Sequence, residues 1–99
     1  MRMMMKAQMD TAAASKAIEN GRLPQVMQSM METLKPEAAY FGPDNGQRTA
    51  FIIFDMADPS QLPAISEPLY REFNARLDFF PVMNREDLER GLSELGNHG

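Results

Sequence analysis

The chain has 99 residues, 43% of them hydrophobic and 24% charged, which suits one folded domain and leaves too little mass for two cores. A net charge of −4 and a pI near 4.9 exclude the basic footprint that binding to a phosphate backbone requires. The absence of cysteine excludes disulfides, thiolate metal centres and thiol catalysis, and it fits a cytoplasmic setting.

Residues Arg2 to Met9 alternate in character. Met3, Met5, Ala7 and Met9 fall on one side and Arg2, Met4, Lys6 and Gln8 on the other, the period of a strand. This methionine-rich opening reads as a strand rather than an export signal, because Ala7-Gln8-Met9-Asp10 interrupts any apolar stretch. No run approaches the roughly 20 apolar residues of a spanning helix. Asp10 and Thr11 can cap a helix through Ala12–Ile18, which Asn20-Gly21 stops. Leu23-Pro24 restarts it, with Pro24 at the first helical position. Val26, Met27, Met30, Met31 and Leu34 then form one stripe.

Pro36 forbids continuation, and Ala38–Phe41 reads as a short strand before the turn cluster Gly42-Pro43-Asp44-Asn45-Gly46. Arg48–Met56 is the strongest strand. Ala50, Ile52, Phe54 and Met56 share one of its faces; Thr49, Phe51, Ile53 and Asp55 share the other. Asp58-Pro59 opens a second helix with Leu62, Ile65, Leu69 and Phe73 at spacings of three and four, and Pro68 should kink it or split off its last turn. Residues 74–83 form a fourth strand, at a sheet edge because Pro81 cannot donate to a ladder. Asn84 and Asp87 make a capping box for a short helix with Leu88, Leu92 and Leu95 as its stripe and Gly96 as its stop. Residues 97–99 form a flexible tail.

The order is β-α-β-β-α-β with an added C-terminal helix, a single α+β domain over residues 1–96. Right-handed crossovers then give a ferredoxin-like antiparallel four-stranded sheet, ordered 4-1-3-2, with helices on one side. The methionines are core residues of a central strand, where an unbranched side chain fills irregular gaps. The face away from the helices carries Met4, Phe51, Ile53, Phe80 and Val82, too much apolar surface to leave wet. No further element is available to cover it, so a second copy should, through a two-fold contact.

The run Ala57-Asp58-Pro59-Ser60-Gln61-Leu62-Pro63, then Glu67-Pro68-Leu69, Asn74-Ala75 and Pro81-Val82-Met83, together with Lys35-Pro36-Glu37-Ala38-Ala39-Tyr40-Phe41, resembles a family of small uncharacterised bacterial proteins of about this length. That family is similar to the dimeric α/β-barrel superfamily, which also holds muconolactone isomerases, antibiotic-biosynthesis-type monooxygenases and stress-response barrels. The resemblance implies a homodimeric barrel. It carries no catalytic residue across, since no enzyme motif is matched here and fold alone does not fix function.

Two groups of side chains are candidates for a site. Glu67, Tyr70, Arg71 and Asn74 gather near the end of the second helix, where Glu67 would serve as a general base and Tyr70 as an orienting hydroxyl if the carboxylate were buried. The simpler reading is a solvated helix surface. Lys6, Asp55, Arg76 and Asp78 share the open sheet face and would line a cavity walled by Phe51 and Phe80; the simpler reading is ion pairing between subunits. His98, the one histidine, lies in the tail without the ligands a metal needs, so neither a metal nor a cofactor is expected. The segment GPDNGQR leads into a strand and lacks the helix N-terminus of a phosphate loop. QRTAFIIF only partly imitates an RNA-recognition strand, since Thr49 stands where a stacking ring belongs. The expectation is a homodimer that binds a small molecule or serves as an interaction module, without nucleic-acid or membrane partners. The alternative is a cofactor-independent isomerase or monooxygenase acting on a small aromatic or enolisable compound, using Glu67, Tyr70, Asn74, Lys6 and Arg76.

Overall fold

The computed structural model describes residues 1–98, and for 97 and 98 the backbone alone. Strand β1 spans Arg2–Gln8 and alternates half-buried with buried residues along its whole length. Helix α1, Thr11–Glu19, starts where Asp10 Oδ2 accepts a hydrogen bond from the Ala13 N–H (3.0 Å). Its buried residues are Ala14 and Ala17, so small side chains let the helix lie close to the sheet. Helix α2, Arg22–Leu34, follows a break at Asn20 and Gly21, and Gly21 takes the left-handed conformation at φ 76°. The helix begins at Arg22, so Pro24 sits inside the first turn rather than at its first position. Any of the first turn's backbone nitrogens can lack a proton without losing an intrahelical bond.

Strand β2 covers Ala38–Asp44 and β3 covers Gln47–Asp55. The expected turn of Gly42 to Gly46 shrinks to Asn45 and Gly46, both at positive φ (52° and 75°), the pattern of a tight two-residue hairpin. Gly42 and Pro43 belong to the strand, paired with Thr49 and Arg48. An edge strand uses only one side of its backbone for the ladder, so it tolerates a proline.

After β3, Asp58 and Gln61 form a reciprocal capping box around a single 3-10 turn, Pro59–Gln61. Helix α3, Leu62–Phe73, then runs through Pro68 without splitting. Its buried side chains, Ile65, Leu69 and Phe73, hold it to the sheet, and burial of that stripe outweighs the backbone bond that Pro68 cannot make. Strand β4 is Arg76–Pro81 and helix α4 is Arg85–His98. Helix α4 passes Gly96, where the sequence suggested a stop. The residues assigned to a flexible tail begin inside it, and the side chains of 97 and 98 and the whole of 99 lie outside the described residues.

The sheet is antiparallel in the order β2-β3-β1-β4, the ferredoxin-like arrangement. Met3, Met5, Ala7 and Met9 pack with Ala50, Ile52, Phe54 and Met56 beneath Ala14, Ala17, Val26, Met30, Ile65, Leu69 and Phe73. The opening methionines are therefore core: Met5 is wholly buried, as are Ile52, Leu69 and Phe73, each worth about 1.5–3 kcal/mol by burial. Helix α4 stands apart from this layer. The molecule extends 56 × 28 × 17 Å with a radius of gyration of 16.0 Å, against about 13 Å for a compact chain of this length.

Candidate functional site

The cross-strand pairs lay out the open face row by row. Ala38, Ile53, Met4 and Phe80 form an apolar row, and Tyr40, Phe51, Lys6 and Asp78 form the next. Gly42, Thr49, Gln8 and Arg76 form a polar third row. The apolar row thus lies between the charged Arg2 and Asp55 on one side and a mixed row on the other, which in turn meets the polar row. Tyr40 is 66% exposed and Phe80 40%, while Met4, Phe51 and Ile53 are half-buried by their neighbours in the sheet.

Lys6 reaches diagonally across β3 to the end of β2, where its Nζ lies 2.6 Å from Asp44 Oδ2. That oxygen is sealed from solvent, and the approach angle makes the contact an ion pair without a well-formed hydrogen bond. Gln8 Nε2 donates to the Asp44 carbonyl oxygen (2.8 Å) and Thr49 Oγ1 donates to the Gln47 carbonyl oxygen (3.0 Å). Arg76 Nε lies 4.0 Å from Asp78 Oδ2. At the other end of the face, the Met1 ammonium holds Asp55 at 2.7 Å. Arg2 is gripped there by Glu37 (2.7 Å) and Asp87 (2.6 Å). The hydrogen bond to Glu37 is the largest reason the Arg2 guanidinium holds its proton above the usual range, aided by the charges of Glu37 and Asp87 and opposed by burial. The Asp87 carboxyl is held below the ordinary range first by the Asn84 N–H and then by Arg2 and Arg90, again against burial.

The sheet divides the candidate residues. Lys6, Phe51, Asp55, Arg76 and Phe80 share the open face. Glu67 and Tyr70 lie exposed on α3, on the helix side, and Asn74 ends that helix in a left-handed conformation at φ 46°. Glu67 pairs loosely with Arg71 at 3.8 Å in solvent. Sequence reasoning missed Asp44 and Tyr40 on the open face. Tyr40 follows from alternation within Ala38–Phe41, and Asp44 once β2 is extended past Phe41, an extension that the Gly42-Pro43 pair concealed. It also missed a cleft of about 410 Å³ between α2 and α3, lined by residues that include Val26, Met30, Leu34, Phe54, Asp55 and Ile65. Its apolar side chains had read simply as core stripes, and Asp55 as a residue of the open face. Among the described residues no cluster of His, Cys, Asp or Glu is arranged to hold a metal, and no helix is long and apolar enough to cross a membrane.

The strand order and the placement of α1, α2 and α3 define a ferredoxin-like α+β domain with one bare sheet face. The chain belongs to the family described as a domain of unknown function (DUF3303), whose model matches residues 1–96. No curated protein and no solved structure matches the chain.

Proposed function

We propose that two copies of this chain close their open sheet faces on each other and hold a small amphipathic molecule between them. The observation that carries this reading is the segregation of that face. An apolar row of Ile53, Met4 and Phe80 is separated from a polar one of Thr49, Gln8 and Arg76 by a mixed row in which Phe51 lies beside Lys6. A wholly dry interface would demand full pairing of every charge. A partly hydrated cavity needs only a few convergent polar groups on apolar walls, the usual composition of a ligand site. Phe51, Phe80 and Tyr40 would stack on the apolar part of a ligand, while Lys6, Gln8 and Arg76 would orient its polar end. A cytoplasmic location is part of the same inference, supported by the lack of cysteine.

Mass under native conditions tests the pairing, and a monomer at micromolar concentration overturns it. Thermal shift against a panel of small aromatic acids tests the cavity. If Lys6→Ala and Arg76→Ala leave every ligand-induced shift unchanged, the cavity is not the binding site. The catalytic alternative has less support, because Glu67 and Tyr70 lie across the sheet from Lys6 and Arg76 and cannot act on the same atom.

A further inference from the structure

Helix α4 carries Leu88, Leu92 and Leu95 at spacings of four and three, and they are 45%, 56% and 68% exposed. Met83, just before it, is 65% exposed. No helix or strand of the same chain packs along α4 among the described residues, yet its root is fixed. Asp87 N–H donates to Asn84 Oδ1 (2.8 Å), Asn84 N–H donates back to Asp87 Oδ2 (3.2 Å), and Arg2 clamps the same carboxylate. A frayed tail would not have its first turn tied to the central strand. This one is held out at a set angle with its apolar stripe bare.

The surface area points to what covers it. A compact monomer of 11.2 kDa exposes about 5,700 Å², whereas this chain exposes 6713 Å². The excess of about 1,000 Å² is close to the roughly 800 Å² that each partner loses in a stable complex. The opposite edge of the sheet has the matching need. Strand β2 is an edge whose Tyr40 and Phe41 are 66% and 59% exposed, and an uncovered edge strand invites uncontrolled pairing unless something shields it. Strands β2 and β4 are the two edges, so a two-fold axis running along the strands lays the β4 side of one sheet over the β2 side of the other.

Building on the dimer proposed above, we infer that α4 is an exchanged arm. Its leucine stripe docks on Tyr40 of a second copy, shielding that copy's β2 edge and closing one side of the shared cavity. Each cavity is then incomplete without the partner's helix.

The chain's lack of cysteine allows a direct test in the full-length protein. Tyr40→Cys and Leu92→Cys chains, one carrying a mass tag, are mixed and oxidised. A covalent mixed dimer should be the main product, with only background cross-linking between Leu92→Cys and a Ser29→Cys control on α2. Background yield from the Tyr40 pair, in a protein that is dimeric by native mass, overturns the arm and leaves the face-to-face dimer standing. A monomeric wild type overturns both. Leu92→Glu, two-fold repeated in each dimer, should raise the dissociation constant on the order of a thousandfold, while circular dichroism of the monomer stays folded. An unchanged dissociation constant also refutes the arm.

Discussion

Lys6→Met keeps most of the length of the side chain and deletes its charge, leaving the sealed Asp44 Oδ2 without the ammonium that lies 2.6 Å away. At that distance the bare attraction is about 1.6 kcal/mol in the dielectric of water and about 6 kcal/mol at an effective dielectric near 20. Desolvation and the entropy of holding a lysine in place offset most of either figure. Exposed pairs therefore net about 0.2–1 kcal/mol, while breaking a dry buried pair costs about 3–5 kcal/mol. Both side chains here are 31% exposed in the single chain, and a hydrated cavity keeps them near that state after pairing of the sheets. The expected loss is about 1–2 kcal/mol, read from urea unfolding at several protein concentrations so that dissociation and unfolding separate. Asp44→Asn added to Lys6→Met should recover part of it. A loss of about 3–5 kcal/mol would mean a dry interface at this point and would refute the cavity. No loss would show that the pair adds nothing to stability.

The fold offers three further checks. Met5→Ala, at a wholly buried position on the central strand, should cost about 2–5 kcal/mol in chemical denaturation; a loss under 1 kcal/mol would contradict the core role of the methionines. Gly46→Ala, at φ 75° in the β2–β3 hairpin, should lower the melting temperature through backbone strain alone, because a Cβ there meets no neighbouring atom. The Asp87 and Glu72 carboxyls are both held below their ordinary range, Asp87 chiefly by the Asn84 N–H and Glu72 chiefly by Arg22. A depressed carboxyl stabilises the fold above its unfolded pKa and loses that contribution as pH falls through its folded value. Stability should therefore decline below the ordinary carboxylate range, and Asp87→Asn should flatten part of that slope in pH-dependent unfolding curves.

Much of the scaffold was legible because its signals were redundant. Alternation in Arg2–Gln8, the cap at Asp10, the break at Asn20-Gly21 and the box at Asn84 and Asp87 each agree with the periodicity beside them, and each reappears in the structure. Errors arose where a local signal competed with tertiary context. Gly42 and Pro43 carry turn chemistry, but the β2 register with β3 overrides it. Of the two outcomes Pro68 allowed, a kink or a split, the split does not occur, because the buried stripe of Ile65, Leu69 and Phe73 runs on through it. The candidate site was half legible. Alternation tells which residues share a strand face, hence Lys6, Phe51, Arg76 and Phe80 together. It does not tell that Lys6 reaches over β3 to Asp44, since that contact depends on where a neighbouring strand ends.

The division between the two faces also bears on what kind of activity this chain can support. Side chains on opposite faces of a sheet point away from each other, so Glu67 and Tyr70 on the helix side cannot meet a ligand held at Lys6. Any proton transfer in the proposed cavity would have to come from the groups already there. Those are engaged: Lys6 with Asp44 at 2.6 Å, Arg76 near Asp78 at 4.0 Å, and Asp55 with the Met1 ammonium at 2.7 Å. A general base needs an acceptor oxygen free to face its substrate, whereas these carboxylates are turned towards cations. Paired charges at the edge of an apolar wall are suited to orienting a ligand. Catalysis on this scaffold would require a ligand able to displace one of those partners, so turnover that survived Lys6→Met would place the chemistry elsewhere on the molecule.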